Sequence, residues 1–121
     1  MTFEEKRFTA RDGLSLYYRD YANTSSALTP VLCLSGTTQN SKVYDELAEH
    51  LAKDRRVLCM DWRGHGQSEY DPDWRHYSYF VDRDDVLDLL RHEDLARVVI
   101  IGTSLGGIVT MHIALEHAHV I

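Results

Sequence analysis

The sequence is poor in the features that mark secreted, membrane-spanning or nucleic-acid-binding proteins. It has two cysteines and two prolines in 121 residues, and no uninterrupted apolar stretch approaches the ~20 residues that a bilayer-spanning helix needs. Acidic residues outnumber basic ones, 19 to 13, for a formal net charge of −6. Because phosphate binding relies on basic patches, we expect no nucleic-acid partner, and the lack of a long apolar stretch predicts no membrane partner.

A secretory signal is also lacking. Residues 1–7 are charged and contain no apolar core of the kind that signal peptides carry. Cys33 and Cys59 each lie within a short apolar run, and no histidine stands near either at a metal-ligand spacing. We therefore expect two reduced core cysteines in a cytoplasmic protein, with no metal and no organic cofactor.

What the sequence does contain is an alternation of strand and helix patterns. Strands are predicted at residues 3–9, 14–20, 31–34, 57–60 and 97–101. The first two form a hairpin, and the last three are continuous apolar runs typical of strands covered on both faces. At this length we expect one domain, residues 1–121.

Helical periodicity separates the apolar strands. In residues 41–53 Val43, Leu47 and Leu51 recur every four residues, and in residues 79–92 the predicted buried positions include Phe80 and Val86, with Leu87 and Leu90. The order strand, helix, strand, helix, strand, helix after the hairpin predicts an α/β fold: parallel strands with helices on both faces.

The pentapeptide Gly102-Thr103-Ser104-Leu105-Gly106 follows the last predicted strand and opens a helix-like segment. G-x-S-x-G in this context is the pattern of a nucleophile elbow, in which a sharp turn exposes a serine hydroxyl. Gly102 and Gly106 would remove the clash where helix and strand approach each other. The alternative is that Ser104 merely caps the helix.

A serine nucleophile needs donors for the oxyanion that forms when it attacks a carbonyl. The backbone N–H of Leu105, at the helix N-terminus, is one predicted donor. The loop after strand 31–34 should supply the other, and there Gly36 turns the backbone so that the N–H of Thr37 is the candidate.

Residues 61–68, D-W-R-G-H-G-Q-S, follow the next apolar strand. We interpret this stretch as a tight turn that uses Gly64 and Gly66, with Asp61 and Arg63 bonded to the surrounding backbone. Neither His65 nor the distant His112 is expected to be a base for Ser104. The acids of the second helix are expected to form its solvated face, namely Asp82, Asp84, Asp85 and Asp88.

Together these motifs resemble the α/β-hydrolase superfamily, serine hydrolase branch. They are Leu34-Ser35-Gly36, the stretch 61–68 and the stretch 102–107, in the family's order over essentially the whole chain. The resemblance implies a Ser104 nucleophile, Leu105 and Thr37 as oxyanion donors, and an ester, lactone or related acyl or C–C substrate of small size. One departure is Ser35, which stands where many members have a histidine.

The resemblance matches only the N-terminal half of the family, through the nucleophile helix. The family's acid and histidine match no position here, so we expect the 121-residue chain to be inactive alone. Two alternatives stay open: a cofactor-free dioxygenase of the same fold, in which a histidine generally stands where this chain has Leu105, or a non-catalytic fragment that serves as a binding module.

By the same resemblance, strand 97–101 pairs with strand 31–34 on one side and with a later strand on the other. Without that partner, an apolar strand edge is left with unpaired N–H and C=O groups. We expect the chain to self-associate through this edge or to fold with a missing C-terminal half.

Overall fold

The computed structural model describes residues 3–121, so Met1 and Thr2 of the N-terminal run lie outside the described residues. Its centre is a five-stranded sheet built from β1 (Glu4–Thr9), β2 (Ser15–Tyr21), β3 (Val31–Leu34), β4 (Val57–Met60) and β5 (Val99–Gly102). The strand order is β1-β2-β4-β3-β5. β2 is antiparallel to β1 and β4, whereas β3 is parallel to both β4 and β5. The predicted hairpin followed by parallel strands is confirmed.

Helices cover both faces of the sheet, as predicted. Within residues 3–121 the α-helices are α1 (Asp45–Leu51), α2 (Tyr79–His92) and α3 (Leu105–Glu116), and short 3-10 turns occur at Ser41–Tyr44, Trp74–His76 and Ala118–Val120. None of these helices is both long and apolar enough to cross a membrane.

Alternation along β3 and β4 divides the core into two layers, since successive strand residues point to opposite faces. Leu32 and Leu58 belong to the layer under α2 and α3. Cys33 and Cys59, which are register partners, belong to the layer under α1. Both cysteines are free and fully buried, in agreement with the expectation from sequence.

α1 differs from the prediction in its start and in its buried face. The predicted helix 41–53 begins as a 3-10 turn, and Val43 and Leu47 are 50% and 38% exposed. The side chains that face the sheet are instead one position further on: Tyr44, Ala48 and Ala52. Both sets recur every four residues, so periodicity alone does not choose between them. Alanine lets the helix lie close to the sheet, and the Tyr44 hydroxyl hydrogen-bonds to the Leu34 carbonyl and to Thr103.

β5 begins two residues later than predicted and ends one residue later, at Gly102. The N–H of Val98 donates to the carbonyl of Val120 at 2.8 Å, which ties this residue to the last 3-10 turn rather than to β3. From Val99 onward β5 pairs with β3. In the part of the chain that the structure describes, no strand lies along the other edge of β5.

The side chain of Arg63 is fully buried and is bonded to three carboxylates rather than to the backbone, which corrects the prediction. It donates to Asp85 at 2.7 and 2.8 Å, to Asp71 at 2.7 Å and to Asp12 at 2.8 Å. Burial alone would lower the pKa of Arg63, but the hydrogen bonds to Asp85 and Asp12 outweigh it and raise the pKa. The guanidinium thus joins the β1–β2 turn, the loop after β4 and α2.

The prediction of a solvated acidic face on α2 is wrong for two of its four residues. Asp82 and Asp85 are buried, whereas Asp84 and Asp88 are half-buried. On a helix, positions 82, 85 and 89 share one face, and Leu89 is fully buried. Helical spacing alone would therefore place both acids on the inward face of α2. Their charge instead favoured a solvent-exposed position in the prediction.

We expect Arg63→Met to destabilise the fold by about 3–5 kcal/mol, because it leaves buried carboxylates without their counter-charge. The free energy of unfolding from urea titration, followed by circular dichroism, measures this. Arg75→Met is the matched control, since Arg75 pairs with Asp73 on the surface and should change stability little. Equal effects of the two variants would contradict the central role of Arg63.

Candidate active site

Ser104 lies on the turn between β5 and α3 with φ 53° and ψ −110°. A positive φ is rare for a residue other than glycine and marks local backbone strain. Ser104 occupies the N-cap position of α3, but its side chain makes no capping hydrogen bond. The alternative of a serine that caps the helix through its hydroxyl therefore does not match the structure. Ser104 is exposed.

Gly102 and Gly106 are required by close approach at this turn. A Cβ atom on Gly102 would lie 2.5 Å from the carbonyl oxygen of Gly106. A Cβ on Gly106 would lie 2.1 Å from the carbonyl oxygen of Leu34, at the end of β3. Both distances are far inside van der Waals contact with rigid backbone, so a side chain at either position would displace α3 from the sheet.

The carbonyl of Leu34 anchors the turn. It accepts the N–H of Thr103 at 3.0 Å and the hydroxyl of Tyr44 at 2.8 Å. Because the Tyr44 proton is used there, its oxygen accepts from Thr103 Oγ1, 2.7 Å away. Tyr44 was not singled out from the sequence, and the signal that could have found it is its four-residue spacing from Ala48.

The loop after β3 reaches the elbow. A Cβ on Gly36 would lie 3.4 Å from the Cβ of Ser104, and the Gly36 N–H is held by Gln39 Oε1 at 3.0 Å. Thr37 follows directly and lines the same pocket as Leu105, the first residue of α3. Among residues 3–121, no protein acceptor takes the N–H of Thr37 or of Leu105. Two unused donors therefore flank the Ser104 turn.

Ser35, the first residue after β3, is fully buried. Its carbonyl accepts the indole N–H of Trp62 at 2.9 Å, which fixes the loop against the residue after Asp61. Its hydroxyl has no hydrogen-bond partner in the described part of the chain.

The loop after β4 is the tight turn that the sequence predicts. Asp61 is buried and accepts the backbone N–H groups of Ser41 at 2.6 Å and Gln67 at 3.0 Å, as expected for this residue. Gly64 and Gly66 have φ values of 74° and 53°, and a Cβ on Gly66 would lie 2.2 Å from Asp61 Oδ2. Asp61 thus ties this loop to the start of the α1 region.

A pocket of about 410 Å³ lies beside the elbow. Its size suits a small organic molecule. It is lined by Thr37, Arg63, His65, Tyr77, Ser78, Tyr79, Phe80, Asp82 and Leu105. Phe80, predicted to be buried in the core, is 56% exposed and contributes to this lining. The three aromatic residues at positions 77–80 were not identified from the sequence as a binding surface.

Asp82 is the acid of this pocket. It is 7% exposed, and no protein group in residues 3–121 donates a hydrogen bond to its carboxyl or forms an ion pair with it. Burial and, next, the negative charge of Asp85 raise the pKa of Asp82 from 3.8 to about 7, while Arg63 opposes them. Near neutral pH this carboxyl is present in both protonation states.

His65 and His112 make their described contacts with groups other than Ser104. His65 Nδ1 lies 2.9 Å from the carbonyl of Arg63. His112 packs against the ring of Phe80 with centroids 5.3 Å apart, and its Nδ1 is 3.9 Å from Glu116. Within residues 3–121 no histidine is hydrogen-bonded to Ser104.

One group of side chains has the composition of a metal site. Ligand atoms of Asp12, Asp71 and His76 lie within 4.8 Å of one another. Arg63 Nη1 donates to both carboxylates, and His76 Nδ1 is 2.6 Å from Asp71 Oδ2. The guanidinium already supplies the positive charge that a metal ion would bring.

Comparison with known proteins places this geometry in a family. The profile of the alpha/beta hydrolase fold matches residues 29–121. The chain is 38% identical to a serine hydrolase-like protein of Danio rerio over 78 residues (64% of this chain, 24% of that protein). It is 27% identical to a 2-heptyl-3-hydroxy-4-quinolone dioxygenase of Rhodococcus erythropolis over 108 residues (89% of this chain, 34% of that protein).

A solved structure shows the same arrangement of elements. The crystal structure of an alpha/beta hydrolase from Novosphingobium aromaticivorans superposes with a TM-score of 0.91 and 42% identity, covering 98% of this chain and 41% of that one. The chain thus spans less than half the length of each of these proteins. The strained serine between β5 and α3, the paired glycines and the family match agree: the chain belongs to the alpha/beta hydrolase fold family.

Proposed function

We propose that this chain carries the nucleophile and the oxyanion hole of a serine hydrolase that acts on an ester, a lactone or a related acyl or C–C substrate. The observation that carries this proposal is the position of Ser104. Its φ is 53°, its side chain makes no capping hydrogen bond, and it lies beside the free N–H groups of Leu105 and Thr37. The match to a serine hydrolase-like protein supports it.

The reaction would proceed by acyl transfer to Ser104. Its Oγ attacks the carbonyl carbon, its proton passes to a base, and the negative charge moves to the carbonyl oxygen. The N–H groups of Leu105 and Thr37 donate to that oxygen, helped by the N-terminal dipole of α3. The bond to the leaving group then breaks as the proton is delivered to it, and water releases the acyl group by the reverse sequence.

The proposed reaction also requires a base that accepts the proton of Ser104. Within residues 3–121 no histidine is hydrogen-bonded to Ser104, so neither His65 nor His112 is proposed for this role. We propose that the base and its orienting acid lie outside residues 3–121 and meet Ser104 in the whole gene product. A cytoplasmic location, suggested by the two buried free thiols, is part of the same proposal.

A cofactor-free dioxygenase is the second candidate. The match over 89% of this chain to the quinolone dioxygenase favours it. Against it stands Leu105, which occupies the position where that resemblance expects a histidine. Consumption of dissolved oxygen with a 3-hydroxy-4-quinolone substrate would identify this activity, whereas ester turnover that is unchanged without oxygen supports the hydrolase. A binding module would show neither.

We expect Ser104→Ala to lower ester turnover by the whole gene product by roughly three orders of magnitude or more. The release of p-nitrophenol from p-nitrophenyl acetate measures turnover, and a fluorophosphonate probe reports the activated hydroxyl directly. Ser25→Ala, in the exposed loop before β3, is the control and should behave like the parent. Turnover that survives Ser104→Ala would refute the assigned nucleophile.

The 121-residue chain by itself should turn over the same ester no faster than its Ser104→Ala variant, because no histidine of residues 3–121 is hydrogen-bonded to Ser104. Fluorophosphonate labelling should also be weak, since labelling needs an activated serine. Strong labelling at Ser104 in a chain whose mass is verified would show that a base exists within these residues.

Tyr44→Phe should slow the labelling of Ser104 in the whole gene product by about fivefold, the equivalent of one lost buried hydrogen bond. The variant removes the hydroxyl that bridges Leu34 and Thr103 and so loosens the elbow. Tyr17→Phe is the matched control, because its hydroxyl bonds to Glu5 at 2.9 Å on the β1–β2 hairpin. Equal labelling rates in the two variants would show that Tyr44 does not position the elbow.

We also propose that the outer edge of β5 pairs with another strand, either from a C-terminal half or from a second copy of this chain. Val99 is 42% exposed, and β5 contains neither a charge nor a proline that would block pairing. Light scattering of the 121-residue chain at about tens of micromolar should show association. Val99→Lys should reduce it, and a parent chain that stays monomeric would refute the proposal.

A further inference from the structure

Asp82 is a buried acid that neither the fold nor the proposed acyl transfer uses. It lies on the inward face of α2 with Asp85, one turn further along. Asp85 accepts hydrogen bonds from both Arg63 and Arg11, which account for its burial. Asp82 has no such partner within residues 3–121. Asp82 is 7% exposed, but its carboxyl oxygens stay open to solvent at the pocket, where a ligand can reach them.

The position of Asp82 suits a role in ligand binding, because Asp82 lines the pocket together with the two candidate oxyanion donors, Thr37 and Leu105. A molecule bound with its carbonyl at those donors would place its other end along the same walls. The rings of Tyr77, Tyr79 and Phe80 form much of these walls and are between 37% and 56% exposed. Exposed aromatic side chains around a pocket favour a flat apolar ligand.

We propose that Asp82 is a specificity-determining residue of this pocket: in its protonated form it donates a hydrogen bond to an acceptor oxygen of an aromatic substrate. This inference rests on the proposed function and names the substrate class for the same site. The acceptor is a second oxygen, separate from the carbonyl that Ser104 attacks. Within residues 3–121 no hydrogen bond holds the Asp82 carboxyl, so it is available to a substrate oxygen in the pocket.

The charged and titratable groups around Asp82 determine when it can donate. Asp85 on the same helix disfavours the carboxylate, Arg63 from the loop after β4 favours it, and His65 and the phenols of Tyr77 and Tyr79 line the same pocket. Burial adds to the effect of Asp85 and holds the pKa of Asp82 near 7. A substrate acceptor would bind the protonated form and so raise this pKa further.

Binding of small aromatic probes tests the proposal in the whole gene product carrying Ser104→Ala, so that no turnover is needed. Acetophenone offers an acceptor oxygen, isopropylbenzene has the same shape without one, and benzylammonium carries a cation instead. Ligand-observed NMR titration gives the affinities. At about pH 6 we expect acetophenone to bind about 3- to 10-fold more tightly than isopropylbenzene, and this preference should shrink above about pH 8.

Two substitutions separate a donated hydrogen bond from a charge. Asp82→Asn retains a neutral donor and should keep the preference for acetophenone at both pH values. Asp82→Leu has a similar volume without a donor and should reduce the preference to what the N–H groups of Thr37 and Leu105 alone provide. Asp84→Asn, on the same helix but paired with Arg83, is the control and should change nothing. Fluorophosphonate labelling tests Ser104 in a separate experiment, so a failure of either proposal is seen independently of the other.

Protein stability provides a second readout. Folding raises the pKa of Asp82 from 3.8 to about 7, so the folded state holds a proton that the unfolded state has released. The stability gained this way is present below about pH 4 and is lost as the pH rises through about 7. Asp82→Asn should remove this loss, so its melting temperature should exceed the parent's more at high pH than at low pH.

Three results would overturn the proposed role of Asp82. An unchanged preference for acetophenone in Asp82→Leu would show that Asp82 does not contact the ligand. A preference for benzylammonium at high pH that both Asp82 variants lose would assign a cation site instead. Failure of all three probes to bind at millimolar concentration would overturn the aromatic substrate class.

Discussion

The contact between the elbow and the carbonyl of Leu34 is the constraint on which the rest of the site depends. Gly106 passes so close to this oxygen that a Cβ would lie 2.1 Å from it, and Thr103 and Tyr44 both donate to it. One atom at the end of β3 thus fixes where α3 starts and how Ser104 leaves β5. The positive φ of Ser104 is sustained because the backbone on both sides is held.

A second constraint positions part of the pocket lining. Arg63 is fully buried, and its bonds to Asp12, Asp71 and Asp85 hold together the β1–β2 turn, the loop after β4 and α2. This network places the start of α2, and with it the aromatic residues at 77–80, next to Thr37 and Leu105. The pocket therefore exists because an ion-pair network positions α2 and a close backbone contact positions α3.

Asp82 illustrates how such a scaffold can carry a function beyond stability. Its neighbour Asp85 is satisfied by two arginines, whereas Asp82 faces the pocket with no protein partner among the residues described. The same helical geometry that buries Asp85 for the network also buries Asp82 beside the candidate oxyanion donors. A fully solvated acid at this position would not have the raised pKa that allows a carboxyl to act as a donor near neutral pH.

The sequence by itself determined the order of strands and helices, the α/β class, the sharp turn at Ser104 and the turn at Asp61, because each depends on local patterns and on glycine at close contacts. Only the tertiary structure decided which of two equally spaced stripes α1 buries, since Tyr44 and Ala48 fit the sheet and Val43 does not. It also decided that Arg63 binds carboxylates and that Asp82 faces a pocket. The reason is physical: local spacing can indicate which face of a helix turns inward, but the groups which that face meets come from other segments of the chain.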